Sequence, residues 1–186
     1  MSVELRERLV EEIVGAQPQL RAFLARRTDD MLAGSWDLMA YSFQRGFEAM
    51  WDLARRDLSG LLVNPLLTLC RQSLELTIKA SIRDVAGGLD RRLGHQLDDL
   101  FAALLAARAE LGFNDDDDYA RDVQAMIAEV QAFDPTADRF RYPASRRGEP
   151  FEGLQADLDK LYQVHWLVTT WCEGAALEVE WLNRDR

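Results

Sequence analysis

The chain has 186 residues, of which 48% are hydrophobic and 29% charged, so it is long enough for one domain with a substantial core. A formal net charge of −10 opposes the attraction on which unspecific nucleic-acid binding and adsorption to anionic membranes depend. No apolar run approaches the ~20 residues of a membrane span, and the acidic beginning lacks the basic and then apolar order of a signal peptide. We therefore expect a cytoplasmic protein without a cofactor.

The first predicted segment spans residues 3–33, where apolar residues recur at helical spacing. Pro18 interrupts the pattern, so we expect either one kinked helix or two short helices. The positions that form the stripe are Leu5, Leu9, Ile13, Ala16, Leu20, Phe23, Leu24 and Arg27.

The second predicted helix begins at Trp36, with Ser35 as its N-cap, and ends near Leu58. It carries four large rings at helical spacing, namely Trp36, Phe43, Phe47 and Trp51. Such rings can form a stacking platform for bases, but these do not alternate with a run of basic residues, as a stacking groove requires. We therefore interpret them as core or as a dimer interface.

The third predicted helix runs from Asn64, a candidate N-cap, to about Ala86, and Pro65 suits its first turn. Apolar positions cover most of its surface, which indicates a buried helix. Four charged residues nevertheless follow one another at four-residue spacing along one stripe: Arg71, Glu75, Lys79 and Arg83. Side chains at this spacing are close enough to pair along the helix axis.

His95 leads into a leucine-rich helix that begins near Leu97 and stops before Gly112. Four consecutive aspartates follow at positions 115–118. Consecutive carboxylates are compatible with a metal site, but the alternating oxygen ligands and the central glycine of a calcium loop are missing. We interpret the aspartates as the cap and first turn of the next helix, which covers residues 119–133.

The segment 134–150, which we call the arginine loop, is irregular and contains the densest basic patch of the chain. Arginine pairs with phosphate and carboxylate groups, so this loop is the candidate ligand-binding segment. The candidate residues are Arg139, Arg141, Tyr142, Arg146 and Arg147. The competing interpretation, which we favour, is that these arginines neutralise acidic neighbours such as the aspartates at 115–118. Alternation of arginines with Phe140 and Tyr142 indicates an extended segment, with the rings on the bundle and the guanidinium groups outward.

The last predicted helix, from about Gly153 to Leu182, is largely apolar. His165 lies among its apolar residues and is interpreted as a core histidine, because no second histidine stands at the spacing of a helical metal pair. Cys70 and Cys172 also lie in apolar helical patterns, which favours buried free thiols. No alternating strand pattern occurs, so the sequence predicts an all-α fold, a single helical bundle of five to seven helices over residues 1–186.

Three stretches together resemble the HEPN superfamily, the small helical-bundle domains of prokaryotic toxin–antitoxin, abortive-infection and nucleotidyltransferase-associated proteins. They are an R-x3-E-L-x-x-K pattern that begins at Arg71, a G-H-x-L-x-x-L pattern that begins at Gly94, and an F-R-Y-P segment that begins at Phe140. The resemblance covers residues 64–150. It implies a HEPN-like bundle and a defence or toxin–antitoxin context, without implying one reaction.

By this resemblance, a HEPN ribonuclease is expected to carry an arginine and then, after four to six residues, a histidine. Positions 88–90, where the arginine before His95 should stand, hold glycine, leucine and aspartate. Positions 158–160, which precede His165 at the same spacing, hold leucine, aspartate and lysine. The motif is absent, so we expect no nuclease activity.

The remaining catalytic candidates are Arg71, Glu75, Lys79 and His95. A cation on either side of Glu75 would keep its carboxylate charged, and the group could be buried as a paired set. We favour a structural ion-pair ladder over a catalytic site, because acid–base catalysis needs at least one group that is left unpaired.

Three classes of function are open. The favoured one is a non-catalytic HEPN-like module that dimerises or recognises a partner, such as a protein encoded nearby, in a prokaryotic defence or toxin–antitoxin context. The alternatives are a ribonuclease with a degenerate motif, and a binder of nucleotides or small anions that uses the arginine loop. We expect a homodimer, because two very apolar predicted helices, Trp36 to Leu58 and Gly153 to Leu182, offer more hydrophobic surface than one core covers. RNA or nucleotides are expected to bind weakly, and membranes not at all.

Overall fold

The computed structural model describes residues 3–17, 24, 31–90 and 92–184. The chain falls into two compact units, Met1–Ala33 and Gly34–Arg186. The single domain over residues 1–186 stays a prediction. In the first unit, helix α1 spans Val3–Ala16, and none of its residues is buried. Pro18, which interrupts the predicted stripe, and the stripe positions Leu20, Phe23 and Arg27 lie outside the described residues.

The second unit contains five helices, which are α2 Trp36–Ala54, α3 Val63–Ala86, α4 Leu97–Glu110, α5 Asp118–Phe133 and α6 Leu158–Arg184. The described part of the chain contains no β-strand, only one isolated bridge between Ala144 and Pro150. The predicted all-α fold is therefore confirmed, with six helices in the described ranges, five of which pack as a helical bundle in the second unit. None of the described helices is long and apolar enough to cross a membrane.

Several helix ends follow the capping chemistry that the sequence predicts. The Ser35 hydroxyl accepts a hydrogen bond from the N–H of Leu38 at 3.2 Å, before α2. The Asp117 carboxylate accepts one from the N–H of Ala120 at 2.7 Å, before α5. Gly112 has a φ of 92°, a backbone conformation that residues other than glycine rarely adopt, so helix α4 does not continue past it.

Two predicted ends in the first half of this unit are wrong. Helix α2 ends at Ala54 and not near Leu58, because the Asp57 carboxylate accepts hydrogen bonds from the turn that follows it. Helix α3 begins at Val63, one residue before Asn64. Asn64 therefore lies in the first turn and does not cap the helix with its side chain.

The predicted beginning of α6 is also wrong. The helix begins at Leu158, and Gly153 lies in irregular chain. Asp157 provides the cap by accepting a hydrogen bond from the N–H of Lys160 at 3.1 Å. Trp51 Nε1 donates to the carbonyl of Leu158 at 2.9 Å and ties this end of α6 to α2.

Helix α3 is the centre of the second unit and packs against α2, α4 and α6, while α5 packs on α4 and α6. The largest fully buried side chains are Phe47, Leu66, Leu74, Ile78, Leu97, Leu100, Phe101, Leu104, Val123, Ile127, Val168 and Val179. Phe47 is completely buried, and the ring centroids of Trp51 and Tyr162 lie 4.3 Å apart. Phe47 and Trp51 therefore pack in the core, as predicted, whereas Trp36 and Phe43 are half-buried and do not belong to this core cluster.

The second histidine, His165, lies in this core, as predicted. Its Nε2 is 2.8 Å from the Ser73 hydroxyl, and its ring centroid lies 4.1 Å from that of Phe47. Burial lowers the pKa of His165 to about 4. Both cysteines are buried free thiols, which confirms that prediction, and burial raises the pKa of Cys70 to about 12.

Candidate functional site

The charged stripe predicted on α3 is buried, and three of its four members pair along the helix. Arg71 and Glu75 are each 4% exposed and Lys79 is 8% exposed. Lys79 Nζ donates to Glu75 Oε1 at 2.8 Å, and Arg71 Nη1 donates to Glu75 Oε2 at 3.4 Å. Arg83 is half-buried and pairs with Asp84 instead. Four-residue spacing therefore forms the ladder that the sequence indicates.

His95 joins this ladder from the connection between α3 and α4. Its Nδ1 lies 2.7 Å from Glu75 Oε1, and its main-chain carbonyl accepts a hydrogen bond from Arg71 Nη2 at 2.8 Å. The His95 side chain is 74% exposed. Nε2 has no hydrogen-bond partner among the described residues. The ring is thus fixed at one nitrogen and open to solvent at the other.

Asp134, the first residue of the arginine loop, forms an ion pair with Arg71. It is 1% exposed, and its Oδ2 lies 3.3 Å from Arg71 Nε, in a direction that forms no hydrogen bond. Its Oδ1 accepts a hydrogen bond from the N–H of Arg139 at 2.9 Å. Asp134 therefore joins the beginning of the arginine loop to α3. The one feature of the sequence that could have indicated this role is the position of Asp134, an acidic residue directly after a helix and before a proline.

A second unpredicted carboxylate, Asp138, organises the arginine loop. It is buried, and it accepts hydrogen bonds from Arg146 Nε at 3.1 Å and from Arg141 Nη2 at 3.5 Å. Arg141 Nε also donates to the carbonyl of Ala137 at 2.6 Å. One buried carboxylate thus holds two largely exposed arginines side by side.

The arginine loop is not the extended segment that its alternating rings and arginines indicate. The N–H groups of Arg141 and Tyr142 both donate to the Asp138 carbonyl at 3.0 Å, which curls the chain into a helical turn. The turn buries Phe140 but leaves Tyr142 exposed. Only one of the two predicted rings therefore packs on the bundle.

The favoured interpretation, that the loop arginines neutralise acidic neighbours, named the aspartates at 115–118 as an example, and those aspartates have other partners. Arg108 and Arg121 hold three of those four aspartates in ion pairs, and the fourth caps α5. Two loop arginines pair instead with Asp138, which is closer along the chain. The loop thus carries its own counter-charge.

The two sets of candidate residues meet in one cleft of about 290 Å³, which we call the arginine cleft. Its lining comes from α3, the connection before α4 and the arginine loop, and consists of Thr68, Arg71, Gln72, Glu75, His95, Asp134, Thr136, Ala137, Phe140, Arg141 and Arg146. The candidates Lys79, Arg139, Tyr142 and Arg147 do not line it. Arg139 turns away and donates to the carbonyl of Glu152 at 3.0 Å.

Cationic and acidic side chains balance in this cleft. The cations of its lining are Arg71, Arg141 and Arg146, and the buried carboxylates that pair with them are Glu75, Asp134 and Asp138. This local balance contrasts with the chain's formal net charge of −10. The exposed guanidinium groups of Arg141 and Arg146 can therefore bind an anion at a place that lacks the acidic excess of the rest of the chain.

The described ranges contain no group of three or more His, Cys, Asp or Glu side chains that could hold a metal ion. No protein-family profile matches the chain. Comparison with curated proteins and with solved structures finds no significant match either. The arginine cleft is therefore the feature on which a function can be proposed.

Proposed function

We propose that the chain is a non-catalytic recognition module, HEPN-like as its sequence resemblance implies, and that it binds a phosphate-bearing ligand in the arginine cleft. One observation carries the proposal, which is that the three stretches behind the resemblance line the same cavity. Arg71 belongs to the first stretch, His95 to the second, and Arg141 to the third. Polar residues from distant parts of a sequence that converge on one cavity are typical of a binding site.

The walls of the cleft have the chemistry that phosphate binding requires. The side chains of Arg141 and Arg146 are 49% and 86% exposed, so their guanidinium groups are accessible to a ligand while Asp138 positions them. Guanidinium groups form paired, charge-assisted hydrogen bonds with phosphate oxygens. His95 faces the same cleft and supplies a further donor when it is protonated. A phosphate is therefore favoured over an uncharged ligand.

A ribonuclease with a degenerate motif is the second candidate, and one observation favours it. Glu75 orients the His95 ring through Nδ1, and Arg71 lies against the same residue, although the expected arginine-to-histidine spacing is absent. An oriented histidine with a free Nε2 can take up a proton from a ribose hydroxyl. We rank this candidate second because Arg71 is buried between Glu75 and Asp134, which occupy its guanidinium group.

The binding proposal is tested with a short, fluorophore-labelled, 5′-phosphorylated single-stranded RNA, by fluorescence anisotropy at two salt concentrations. We expect saturable binding that weakens steeply with salt. The double variant Arg141→Ala/Arg146→Ala should lose about tenfold in affinity or more, because two phosphate contacts are removed. The matched control is Arg147→Ala, which removes a nearby loop arginine that does not line the cleft. Equal affinities for the double variant and the wild type would remove the cleft from the site.

The same RNA, incubated with purified protein without added metal, distinguishes the two candidates. The non-catalytic proposal predicts no cleavage by the wild type. Cleavage that is lost in His95→Ala and retained in Arg147→Ala would instead establish the ribonuclease. Binding and cleavage are measured in separate assays. Observed cleavage would therefore refute the non-catalytic role without changing the assignment of the binding site to the arginine cleft.

The proposal also includes a homodimer, in the cytoplasm and in a prokaryotic defence or toxin–antitoxin context. Exposed hydrophobic side chains on the adjacent helices α2 and α6 support self-association, namely Leu38, Tyr41, Leu53, Trp166, Leu177 and Trp181. Sedimentation velocity at micromolar concentration should give a dimer for the wild type and a monomer for Trp181→Glu. Leu58→Glu, in the connection after α2, is the control and should stay dimeric. A monomeric wild type would contradict the proposal.

A further inference from the structure

Phe140 lines a second cavity besides the arginine cleft. This second cavity, which we call the apolar cavity, has a volume of about 310 Å³. Its body is formed by side chains of α3, α5 and α6, chiefly Leu67, Met126, Val130, Phe133, Leu161 and Val164. A volume of this size falls in the lower range of cavities that hold small molecules.

The cavity is a half-open cleft and not a sealed void between helices. Helices supply most of its wall, and residues 154–157, which are irregular chain before α6, and Phe140 of the arginine loop line the rest. Because the cleft is half open, a ligand can enter it without separation of the helices.

Charged side chains occur only at the margin of the cavity, where Glu129, Asp157 and Lys160 contribute to the lining. Lys160 Nζ lies 3.6 Å from Asp157 Oδ2, so that pair balances itself. Glu129 has no ion-pair partner among the described residues. The margin is therefore negative overall, which disfavours an anionic group on a bound molecule and favours a neutral or cationic one.

We propose that the apolar cavity binds a small hydrophobic molecule whose polar end is neutral or cationic, such as an aliphatic amine or alcohol. The aliphatic and aromatic side chains of the three helices would bury its body, and Glu129 would face its polar end. Burial of apolar surface provides the binding free energy, and the margin provides the selectivity. This site shares only Phe140 with the lining of the arginine cleft.

The native methionines allow a direct test by NMR of protein labelled with ¹³C at the methionine methyl groups. Met126 lines the cavity, whereas Met39 and Met50 on α2 do not. Titration with octylamine or octan-1-ol should shift the Met126 resonance in a saturable way and leave the α2 methionines unchanged. Sodium octanoate should bind about tenfold more weakly than octylamine, because its carboxylate meets a negative margin. The Met126 resonance is assigned with Met126→Leu.

Two outcomes of this titration would overturn the proposal. A Met126 resonance that stays unmoved, or that moves without saturation, would show that the cavity is not a binding site. Octanoate that binds as tightly as octylamine would refute the proposed ligand class. Both outcomes are read on the wild-type protein.

A filling variant gives a second, independent measurement. Ala156 is half-buried in the irregular wall of the cavity, so Ala156→Trp should occupy its space and weaken octylamine binding about tenfold or more. Ala132→Trp adds the same ring at an exposed position of α5 outside the cavity and should bind octylamine like the wild type. Equal affinities of the two variants, with both folded by circular dichroism, would contradict the proposed location.

Discussion

His95 Nδ1 lies 2.7 Å from Glu75 Oε1, so a side chain that is 74% exposed is anchored to a carboxylate that is almost completely buried. The two residues belong to different elements, since Glu75 lies in α3 and His95 in the connection to α4. Glu75 therefore serves the interior ion-pair ladder and the wall of the arginine cleft at the same time. Its removal should affect both stability and the orientation of the histidine.

We predict that Glu75→Ala destabilises the protein by about 3 kcal/mol or more, because it leaves Lys79 and Arg71 as buried cations without their shared partner. Glu110→Ala removes an exposed carboxylate at the end of α4 and should cost less than about 1 kcal/mol. Urea unfolding followed by circular dichroism measures both variants. Equal denaturation midpoints would show that the ladder does not stabilise the fold.

We predict that His165 makes the protein less stable in mild acid. Its pKa is about 4 in the folded state because of burial, whereas a histidine in an unfolded chain titrates near 6.5. Well above pH 6.5, the His165 imidazole is neutral in both the folded and the unfolded state. As the pH falls from 6.5 towards 4, mainly the unfolded chain takes up the proton, so the free energy of unfolding falls by up to about 1.4 kcal/mol per pH unit.

The measurement compares urea unfolding of the wild type and His165→Gln at pH 7 and pH 4.5. The wild type should lose more stability than the variant over this interval, since the carboxylates titrate in both proteins and cancel in the comparison. The same loss in both proteins would mean that His165 is not held neutral by the fold.

We predict that Arg108 is essential to the stability of the second unit. The guanidinium group is buried, donates to the Ala175 carbonyl at 2.6 Å, and pairs with Asp115 and Glu178. Arg108→Ala leaves Asp115 without its partner and should lower the free energy of unfolding by about 3 kcal/mol. Arg121→Ala, which removes an exposed arginine paired with neighbouring aspartates, should leave the thermal midpoint almost unchanged. Similar midpoints for the two variants would refute the prediction.

We predict that Asp138→Asn increases the affinity of the arginine cleft for the phosphorylated RNA by about threefold or more, because it removes a negative charge without changing the side chain's shape. Arg141 and Arg146 would then be less neutralised. Asp116→Asn, which removes an exposed carboxylate paired with Arg121, is the control and should bind like the wild type. Fluorescence anisotropy at constant ionic strength measures all three proteins, and an unchanged or lower affinity of Asp138→Asn would contradict the prediction.

Local chemistry explains which parts of the fold could be predicted from sequence. Ser35, Gly112 and Asp117 each act within one helical turn of the helix end that they cap or terminate. Their roles can therefore be predicted from the sequence. The beginning of α6 was predicted wrongly although its cap is local, since Asp157 accepts a hydrogen bond from the N–H of Lys160. The hydrogen bond from the Trp51 indole to the carbonyl of Leu158 comes from another helix, and the sequence does not display it.

The candidate site was predictable in its members on α3 but not in its carboxylates. Arg71, Glu75 and Lys79 pair because of their spacing, which a sequence displays directly. Asp134 and Asp138 act through the path of an irregular loop, and no periodicity predicts such a path. For the same reason, the sequence did not show that the loop and His95 share one cleft.

The packing of α3 against α6 has a consequence for synthesis of the chain. Two serines of α3 form hydrogen bonds with α6. The Ser73 hydroxyl pairs with His165 Nε2, and the Ser81 hydroxyl donates to the carbonyl of Cys172. On the ribosome, α3 is made long before the 27 residues of α6. Until they have left the exit tunnel, these serines lack their partners, and a stalled nascent chain displays the uncovered apolar face of α3 to chaperones and proteases.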